Sequence, residues 1–349
     1  MMNKISVIIP AYNAAGFIEN CITSIQAQTY QDFEIVVVND GSKDSTLDIL
    51  KQLAKEDSRI VIVDQKNGGV SAARNVALKK ATGEFLTMVD ADDALPENAL
   101  KSMVELMKDD VDLVIGSHMQ IRIGKTPYIE PNVEFYKGEV NDSFRKVDPK
   151  IWFPWAKLFR RSVVTRNNIA YDTNISYGED HIFNLAYIKN MTGKIVCTNQ
   201  IVYNYYSIRG GLCAKYYPNM HELQKYVLNG IANYFGGRES FPEEYIVHYT
   251  GCYLLGCFDY YIAWCGKSEA VKKVEESLKV FDDMMLEKTW KNFFSDAQLL
   301  WIKNKDYEML VNDYIKHNPK KTILRKYKRK VRRVLECFLK FGIKIGIVK

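Results

Sequence analysis

The sequence predicts an α/β fold built on a mostly parallel, buried β-sheet and followed by a mainly helical region. Short apolar runs rich in β-branched residues recur through the first 117 residues, and helical patterns separate them. Continuous apolar strands that alternate with helices are typical of βαβ units, whose sheet is covered on both faces. From about residue 218 to 316, in contrast, the pattern is mainly helical and rich in tyrosine.

Five strands and four helices are predicted for the α/β part. The predicted strands are Ile5–Ile9, Glu34–Val38, Arg59–Val63, Glu84–Val89 and Val111–Ile115. The predicted helices cover roughly 14–28, 43–56, 70–81 and 96–109, and Pro96 suits the first turn of the last one. Residues 118–150 hold three prolines and predict a long loop or an edge hairpin.

Charge and pattern divide the chain into an α/β part (1–215), a helical part (216–318) and a basic tail (319–349). The formal net charge is +6, yet the tail alone has twelve Lys or Arg and one acid, which leaves 36 basic and 41 acidic residues elsewhere. Its apolar residues recur at helical spacing: Val331, Val334, Leu335, Phe338 and Leu339. A basic amphipathic helix favours an anionic membrane surface. The alternative is a basic helix that packs on its own protein or on a homodimer partner, and no nucleic-acid-binding fold accompanies the tail.

The cysteines and the apolar stretches of the sequence indicate the cellular compartment. The seven cysteines are odd in number and lack Cys-x-x-Cys spacing, which argues against a disulfide framework or a zinc site. The apolar run 5–9 is too short for a secretory signal or a membrane span, and the apolar stretch Tyr245–Cys265 is interrupted by His248 and Asp259. We therefore expect a cytoplasmic protein with reduced thiols, held at the inner face of the membrane by its tail, and a buried helix over 245–265.

Polar, turn-forming clusters follow the first four predicted strands. They are Pro10-Ala11-Tyr12-Asn13, Asn39-Asp40-Gly41-Ser42, Asn67-Gly68-Gly69 and Asp90-Ala91-Asp92-Asp93. Because ligands of open α/β sheets bind beyond the carboxyl ends of the strands, the four clusters are expected to converge on one site. Neither a Gly-x-Gly-x-x-Gly fingerprint nor a P-loop is present, so a dinucleotide site of the usual kind and a P-loop site are both excluded.

Each cluster also has a purely structural interpretation. Ser42 is a candidate helix N-cap, and the glycines after Asn67 are candidates for positive φ. The acidic cluster could cap the helix that follows it. However, three carboxylates within four residues repel one another unless a cation neutralises them, and Mg²⁺ or Mn²⁺ prefers such oxygen ligands together with substrate phosphates. The acidic cluster therefore favours a metal site.

Five segments, in order and at the usual spacing, resemble those of family 2 glycosyltransferases with a GT-A fold. They are ISVIIPAYN (5–13), DFEIVVVNDGSKDST (32–46), NGGVSAARN (67–75), GEFLTMVDADD (83–93) and YGED (177–180). The resemblance covers about residues 3–215, and residues 216–349 show no motif of the family. It implies a nucleotide-sugar-binding catalytic domain over 1–215. Many such bacterial enzymes build capsule, O-antigen or other surface polysaccharides.

The resemblance also implies roles for individual residues. On the donor side, the pocket for the nucleotide base would be lined by Pro10, Ala11, Tyr12 and Asn13. Asp40 would accept a hydrogen bond from that nucleotide base. Asn67 and Arg74 would hold the nucleotide base, ribose or diphosphate, and Asp90 would approach the ribose or sugar. Asp92, supported by Asp93, would bind the metal, and Arg209 in YNYYSIRGGLC (203–213) would contact phosphate from a mobile loop, although an ordinary surface loop is the alternative.

The resemblance further implies that the acidic pair Glu179 and Asp180 is catalytic, with Asp180 as the base. A cation offsets the charge on the departing nucleoside diphosphate, and a carboxylate takes the proton of the attacking sugar hydroxyl. One in-line displacement then inverts the configuration at the anomeric carbon. The alternative for this pair is a helix start that favours acids. Trp155 is either a stacking surface for an acceptor sugar or a core aromatic, and His181 and His221 are weak candidates for a metal or phosphate contact.

The sequence thus predicts transfer of a hexose or N-acetylhexosamine from a nucleotide-diphosphate sugar, with UDP favoured, to a saccharide or lipid-linked acceptor. Two other classes compete with this prediction. A sugar nucleotidyltransferase would carry a Gly-rich basic motif after its first strand, where this chain has Pro-Ala-Tyr-Asn. A non-catalytic scaffold of a synthesis complex would not need the carboxylates at 92 and 180.

Overall fold

A computed structural model describes residues 3–122, 124–135, 144–206 and 216–318. Two compact units make up the chain, one from Met1 to Lys215 and the other from Tyr216 to Lys349. The first unit contains the β-sheet and every strand-end cluster identified in the sequence. The second unit is helical throughout its described part.

The described strands of the first unit form one nine-stranded sheet. They are β1 (Ile5–Ala11), β2 (Phe33–Asp40), β3 (Ile60–Gln65), β4 (Phe85–Met88), β5 (Val111–Arg122), β6 (Gly124–Tyr128), β7 (Val133–Phe135), β8 (Lys157–Arg160) and β9 (Lys194–Tyr206). Their order is β3-β2-β1-β4-β8-β5-β9-β7, and β6 pairs with β5. The first four strands are parallel, as are β5 and β9, whereas β8 runs antiparallel to both of its neighbours.

The far half of the sheet differs from the sequence prediction. The strand expected at Val111–Ile115 continues to Arg122, and it lies beyond β8, a strand that was not predicted. With four residues, β8 is too short to show a clear hydrophobic period. The edge hairpin expected within 118–150 is present, because β5 turns back into β6 with Arg122 opposite Gly124.

The described helices of the first unit lie between the strands. They are α1 (Ile18–Gln26), α2 (Thr46–Glu56), α3 (Val70–Lys80), α4 (Ala99–Val104), α5 (Phe144–Val147), α6 (Arg161–Arg166) and α7 (Glu179–Asn190). Helices α1 and α4 are shorter than predicted. Pro96 precedes α4 instead of entering it, since the chain first turns back so that the Pro96 carbonyl accepts hydrogen bonds from Ala99 N–H and the Gln28 side chain.

The sheet core lies around β1 and β2. Val7, Ile9 and Val37 are completely buried, and α1 packs Ile18 and Ile22 against them. Each such aliphatic side chain contributes roughly 1.5–3 kcal/mol on burial. This core holds the central strands rigidly, so the loops at their carboxyl ends start from fixed positions.

The second unit is built around one long helix. Its described helices are α8 (Met220–Tyr234), α9 (Glu243–Trp264), α10 (Lys267–Phe281), α11 (Glu287–Phe293), α12 (Asp296–Lys303) and α13 (Tyr307–His317). Helix α9 includes the buried helix predicted over 245–265, and its Asp259 accepts a hydrogen bond from the Tyr314 hydroxyl. Among the helices of the described residues, none is both long and apolar enough to cross a membrane. The basic tail, 319–349, lies outside the described residues.

Candidate active site

Four loops meet at the carboxyl ends of the parallel strands. Strands β1, β2 and β3 pair in register, so that Ala11 lies beside Asn39 and Asp40 lies beside Gln65. The Asp90–Asp93 turn follows β4, which pairs with the other side of β1. The convergence predicted from the sequence is therefore a consequence of the parallel register.

Asp40 lies at the centre of the β2–β3 side of this rim. The residue is 3% exposed, its Oδ1 accepts hydrogen bonds from Gly68 N–H (2.8 Å) and the Gln65 side chain (2.7 Å), and its Oδ2 accepts one from Gly69 N–H (2.8 Å). Asn67 closes the loop by donating to the Asp40 carbonyl at 2.9 Å. Because a carboxylate has about four acceptor positions, it can still accept a donor from a ligand.

Glycine is required at two positions of this loop pair. Gly41 and Gly69 have φ values of +69° and +89°, in the left-handed region. A Cβ on Gly41 would lie 2.7 Å from the Asn67 nitrogen, so a side chain there would separate the loops after β2 and β3.

The loop after β1 is fastened to the loop after β2. Asn13 has a φ of +49°, its N–H donates to the Ser42 hydroxyl at 2.9 Å, and its Oδ1 accepts from Lys43 N–H at 2.8 Å. Ser42 therefore does not cap a helix, and α2 begins at Thr46 after Ser45. This fastening leaves the Tyr12 ring 49% exposed beside the strand ends, in a position to stack on a planar ligand.

The acidic turn after β4 is held by β9. Ala94 and Asn204 exchange backbone hydrogen bonds of 3.2 and 2.9 Å. The buried Tyr203 hydroxyl accepts from Asp90 N–H (3.1 Å) and donates to Asp93 Oδ2 (2.6 Å), while Asp93 Oδ1 accepts from Tyr206 N–H (2.7 Å). Both oxygens of Asp93 are thus engaged, and the residue supports the turn.

Arg74 on α3 links this turn to the predicted base. Its guanidinium lies 3.1 Å from Asp90 Oδ1, 2.6 Å from Asp180 Oδ1 and 3.5 Å from Glu179 Oε1, and the residue is 4% exposed. Glu179 and Asp180 form the first turn of α7, which follows Gly178 in the left-handed conformation. The helix start and the catalytic interpretation of this acidic pair are therefore compatible, because the helix dipole favours acids at the same place.

Negative charge exceeds positive charge in this site. Burial and then Asp90 raise the pKa of Asp92, and burial and Asp90 raise the pKa of Asp93 to about 8, although donors from Tyr203 and Tyr206 oppose the shift. Burial also raises the pKa of Asp180, and Arg74 only partly offsets this. Burial by itself lowers the pKa of Arg74, but its acidic neighbours raise it above the ordinary value. A cluster with this balance attracts a cation.

Comparison with known proteins identifies the domain that carries this site. Residues 6–166 match the family described as glycosyl transferase family 2. Residues 6–166 therefore form a family 2 glycosyl transferase domain. The family resemblance and the α/β fold class predicted from the sequence are both confirmed.

Relatives of this glycosyltransferase domain match over part of their length. An uncharacterized glycosyltransferase, EpsJ of Bacillus subtilis, is 36% identical over 193 residues, which are 53% of this chain and 56% of EpsJ. The poly(ribitol-phosphate) β-N-acetylglucosaminyltransferase TarP of Staphylococcus aureus is 28% identical over 240 residues, or 64% of this chain and 72% of TarP. The chain spans about half the length of several curated relatives that it matches.

A solved structure shares this fold. S. aureus TarS 1–349 in complex with UDP-GlcNAc superposes with a TM-score of 0.69 at 22% identity, over 90% of this chain and 92% of that one. At this identity the likeness establishes the fold, which is GT-A.

The acidic residues of the site bear on whether a divalent cation would fit here. Within the described residues, no group of three or more His, Cys, Asp or Glu side chains is arranged to hold a metal. Asp92 is half-buried, and neither a cation nor a hydrogen-bond donor from another described residue meets its carboxylate. The fit is that of a hard cation that takes one or two protein oxygens and completes its shell with phosphate and water.

Three weaker candidates are placed elsewhere. Trp155 is 5% exposed and stacks on Tyr203, so it is a core aromatic and not an open surface for a sugar. His181 is buried against Trp152 and Asp148, and His221 is bonded to the Tyr261 hydroxyl in the second unit, which gives both histidines structural roles. Arg209 lies outside the described residues.

Several residues that shape the site were missed in the sequence. Tyr203 and Gln65 orient Asp93 and Asp40, and Lys157 and Asn184 hold the chain near α7. Lys157 lies two residues after Trp155, for which the sequence left two roles open. The contacts of Tyr203, Gln65 and Asn184 join residues distant in sequence, so no local pattern marks them.

Proposed function

We propose that this protein transfers a hexose or N-acetylhexosamine from a UDP-sugar to a saccharide or lipid-linked saccharide, with inversion, in the synthesis of a surface polysaccharide. The family 2 domain supports glycosyl transfer. The UDP-GlcNAc bound by TarS and the N-acetylglucosaminyl transfer in the name of TarP favour the UDP-sugar. A sugar nucleotidyltransferase and a scaffold are not favoured.

The observation that carries the proposal is the position of Asp180. Its Oδ1 is fixed by Arg74, whereas its Oδ2 has no hydrogen-bond partner among the described residues and its side chain is 21% exposed. A carboxylate with one oxygen anchored and the other open is suited to accept a proton from an acceptor hydroxyl. Glu179, farther from Arg74 at 3.5 Å, sets the charge around Asp180 and is not the base itself.

The donor would lie across the strand ends. Tyr12 would stack on the base, with Pro10, Ala11 and Asn13 shaping the pocket, and Asp40 would accept from the base imide. Asn67 would bound the ribose side and Asp90 the sugar. Arg74 is occupied by carboxylates, so we assign it to positioning, while Arg209 remains a proposal for a phosphate contact.

Asp92 would hold Mn²⁺ or Mg²⁺ together with the donor diphosphate, and Asp93 would stabilise the turn that carries Asp92. When bound, the cation would offset the charge that develops on the diphosphate. Because Asp93 already has two hydrogen-bond donors, we assign the direct contact to Asp92.

The reaction is a single displacement. The acceptor oxygen attacks the anomeric carbon as its proton passes to Asp180 Oδ2, and the bond from that carbon to the diphosphate oxygen breaks with both electrons going to UDP. Attack and departure on opposite faces invert the configuration. No side chain forms a covalent intermediate, so the site needs no nucleophile.

The remaining assignments are also proposals. Residues 1–215 would be the catalytic domain and 216–318 a helical region with an acceptor or dimer surface. The tail 319–349 would bind anionic lipid, which would hold a cytoplasmic enzyme at the inner face of the membrane.

The test is nucleotide release by purified protein from UDP-, GDP-, dTDP- and CMP-sugars, with Mn²⁺ or with EDTA. We expect slow release from one UDP-sugar, abolished by EDTA. Calorimetry provides a readout besides activity: Mn²⁺ should bind tightly only when UDP is present, and Asp92→Asn should weaken that binding. Absence of both release and donor-induced thermal stabilisation would contradict the proposal.

A further inference from the structure

One aromatic ring near the proposed catalytic base, Asp180, is exposed in an otherwise buried segment. From Pro154 to Phe159 every residue is buried, whereas Phe153 is 47% exposed. Exposing a phenyl ring leaves apolar surface in water, and aromatic side chains beside a few polar groups commonly line ligand sites. The segment therefore presents one open ring at its surface, while the residues that follow it are packed.

The backbone at Phe153 is fastened to the base helix. Asn184 of α7 donates to the carbonyls of Ile151 (2.7 Å) and Phe153 (3.0 Å), and the Lys157 ammonium donates to the Phe153 carbonyl at 2.8 Å. Trp152 stacks on His181, the residue after Asp180, at a centroid distance of 4.4 Å. The exposed ring thus has a fixed position relative to the first turn of α7.

The same ring is also linked to the acidic turn. Phe153 stacks on Trp155 at 4.6 Å and 10°, and Trp155 stacks on Tyr203 at 4.7 Å and 8°. The hydroxyl of Tyr203 donates to Asp93. Ala156, directly after Trp155, has a φ of +56°, a strained value that such packing must hold in place.

We propose that the exposed face of Phe153, backed by Trp155, is the stacking surface for a pyranose ring of the acceptor. The inference rests on the proposed glycosyl transfer and deepens it, since it names the side chain that would contact the saccharide acceptor. The face of an aromatic ring carries partial negative charge, and the C–H hydrogens on one side of a pyranose are weakly positive and nearly coplanar. Phe153 selects this flat apolar face, while the open oxygen of Asp180 receives the hydroxyl.

The test uses saturation-transfer NMR on the full chain in the presence of UDP. The probes are methyl β-D-glucopyranoside, methyl β-D-galactopyranoside and methyl N-acetyl-β-D-glucosaminide. Variants are Phe153→Ala, Phe153→Trp, which restores a ring, and Phe17→Ala, a matched control because Phe17 is a phenylalanine of similar exposure at 41%. Loss of one stacked ring should weaken glycoside binding about five- to tenfold.

We expect saturation transfer to the C–H protons of at least one glycoside in the wild type, in Phe153→Trp and in Phe17→Ala, and its loss in Phe153→Ala. Equal signals in Phe153→Ala, or no signal from any glycoside in the wild type, would overturn the inference. The UDP signals in the same samples report on the proposed function separately. If UDP binds and glycosides do not, the acceptor surface alone is wrong; if UDP does not bind, the proposed donor is wrong.

Discussion

Arg74 places three acids around one guanidinium. Its Nη1 contacts Asp180 and Glu179 while its Nη2 contacts Asp90, so the donor side and the base side of the site share a cation. Replacing one of the acids by its amide leaves the other two paired with Arg74. The role of an individual carboxylate can therefore be tested without leaving the buried cation alone.

Replacing Asp180 by asparagine should abolish transfer and spare donor binding. The amide still accepts a hydrogen bond from Arg74 but cannot take a proton, so kcat should fall about 10²- to 10⁴-fold while the Kd for UDP changes little. Steady-state transfer and UDP calorimetry measure the two effects. Asp110→Asn, at an exposed carboxylate, should match the wild type. Transfer at the native rate in Asp180→Asn would exclude Asp180 as the base.

The pH profile should reveal the raised pKa of Asp180. The base works only when ionised, so kcat/KM should rise with pH through that pKa, and its acid limb should lie well above pH 4, the ordinary range for aspartate. Glu179 is one of the charges that raise the pKa, so Glu179→Gln should move the limb to lower pH. Asp110→Asn serves as the control here too. An acid limb that does not move, or that moves to higher pH, would show that Glu179 does not raise the pKa of Asp180.

At the scale of elements, strand β9 completes a site that the first four strands begin. It pairs with the turn after β4 through Ala94 and Asn204, and it brings Tyr203 to Asp93 across 110 residues of sequence. Strands β1 to β4 are predictable from the sequence because each is a continuous apolar run. The contact between Tyr203 and Asp93 is not predictable in this way, since it depends on β8 and β5 lying between β4 and β9.

The same difference applies to the site residues. Asp40, Asp90 and Asp92 are predicted at the rim because each lies at or just after the end of a strand, and their residue types suit the chemistry. The sequence does not show whether a side chain at the rim is free to meet a ligand. Asp93 has both oxygens engaged in hydrogen bonds, and Trp155 is covered by its neighbours. Sequence position therefore predicts which residues reach the rim, whereas packing decides which of them face a ligand.

A buried acid on β2 should make the sheet sensitive to low pH. Burial raises the pKa of Glu34, but hydrogen bonds from Lys4, Ser6 and Thr82 lower it to about 2. A depressed pKa stabilises the fold above the unfolded value of about 4.3. That contribution, roughly 3 kcal/mol for this shift at neutral pH, is lost as pH falls towards 2.

Urea unfolding can isolate this contribution. Glu34→Gln should lower the free energy of unfolding by about 2–3 kcal/mol at pH 7, and its difference from the wild type should shrink below pH 4. Glu84→Gln is the control, because Glu84 is 41% exposed and pairs with Arg160 at the surface, where such a pair contributes under about 1 kcal/mol. A difference that stays constant down to pH 2 would rule out titration of Glu34 as its cause.

At the scale of the whole molecule, positive charge is concentrated in residues 319–349, outside the described residues. The chain carries +6 overall, but residues 319–349 have twelve basic residues and one acid, so the other 318 residues are net acidic. A basic segment of this kind suits a negatively charged surface. In the proposed function, that surface is the membrane that carries a lipid-linked acceptor.

Binding to anionic vesicles should therefore depend on the tail. Each Lys or Arg near such a surface contributes about 1 kcal/mol, so replacing six of the tail's Lys and Arg residues by Gln in the full chain should reduce binding to phosphatidylglycerol vesicles at least a hundredfold. Sedimentation with vesicles measures the effect, with phosphatidylcholine vesicles and added salt as controls. Because the catalytic residues all lie before residue 216, release of UDP from soluble donor should not change. Equal vesicle binding by the Gln variant would disprove the electrostatic role of the tail, and a lowered melting temperature in its place would show that the tail packs on protein.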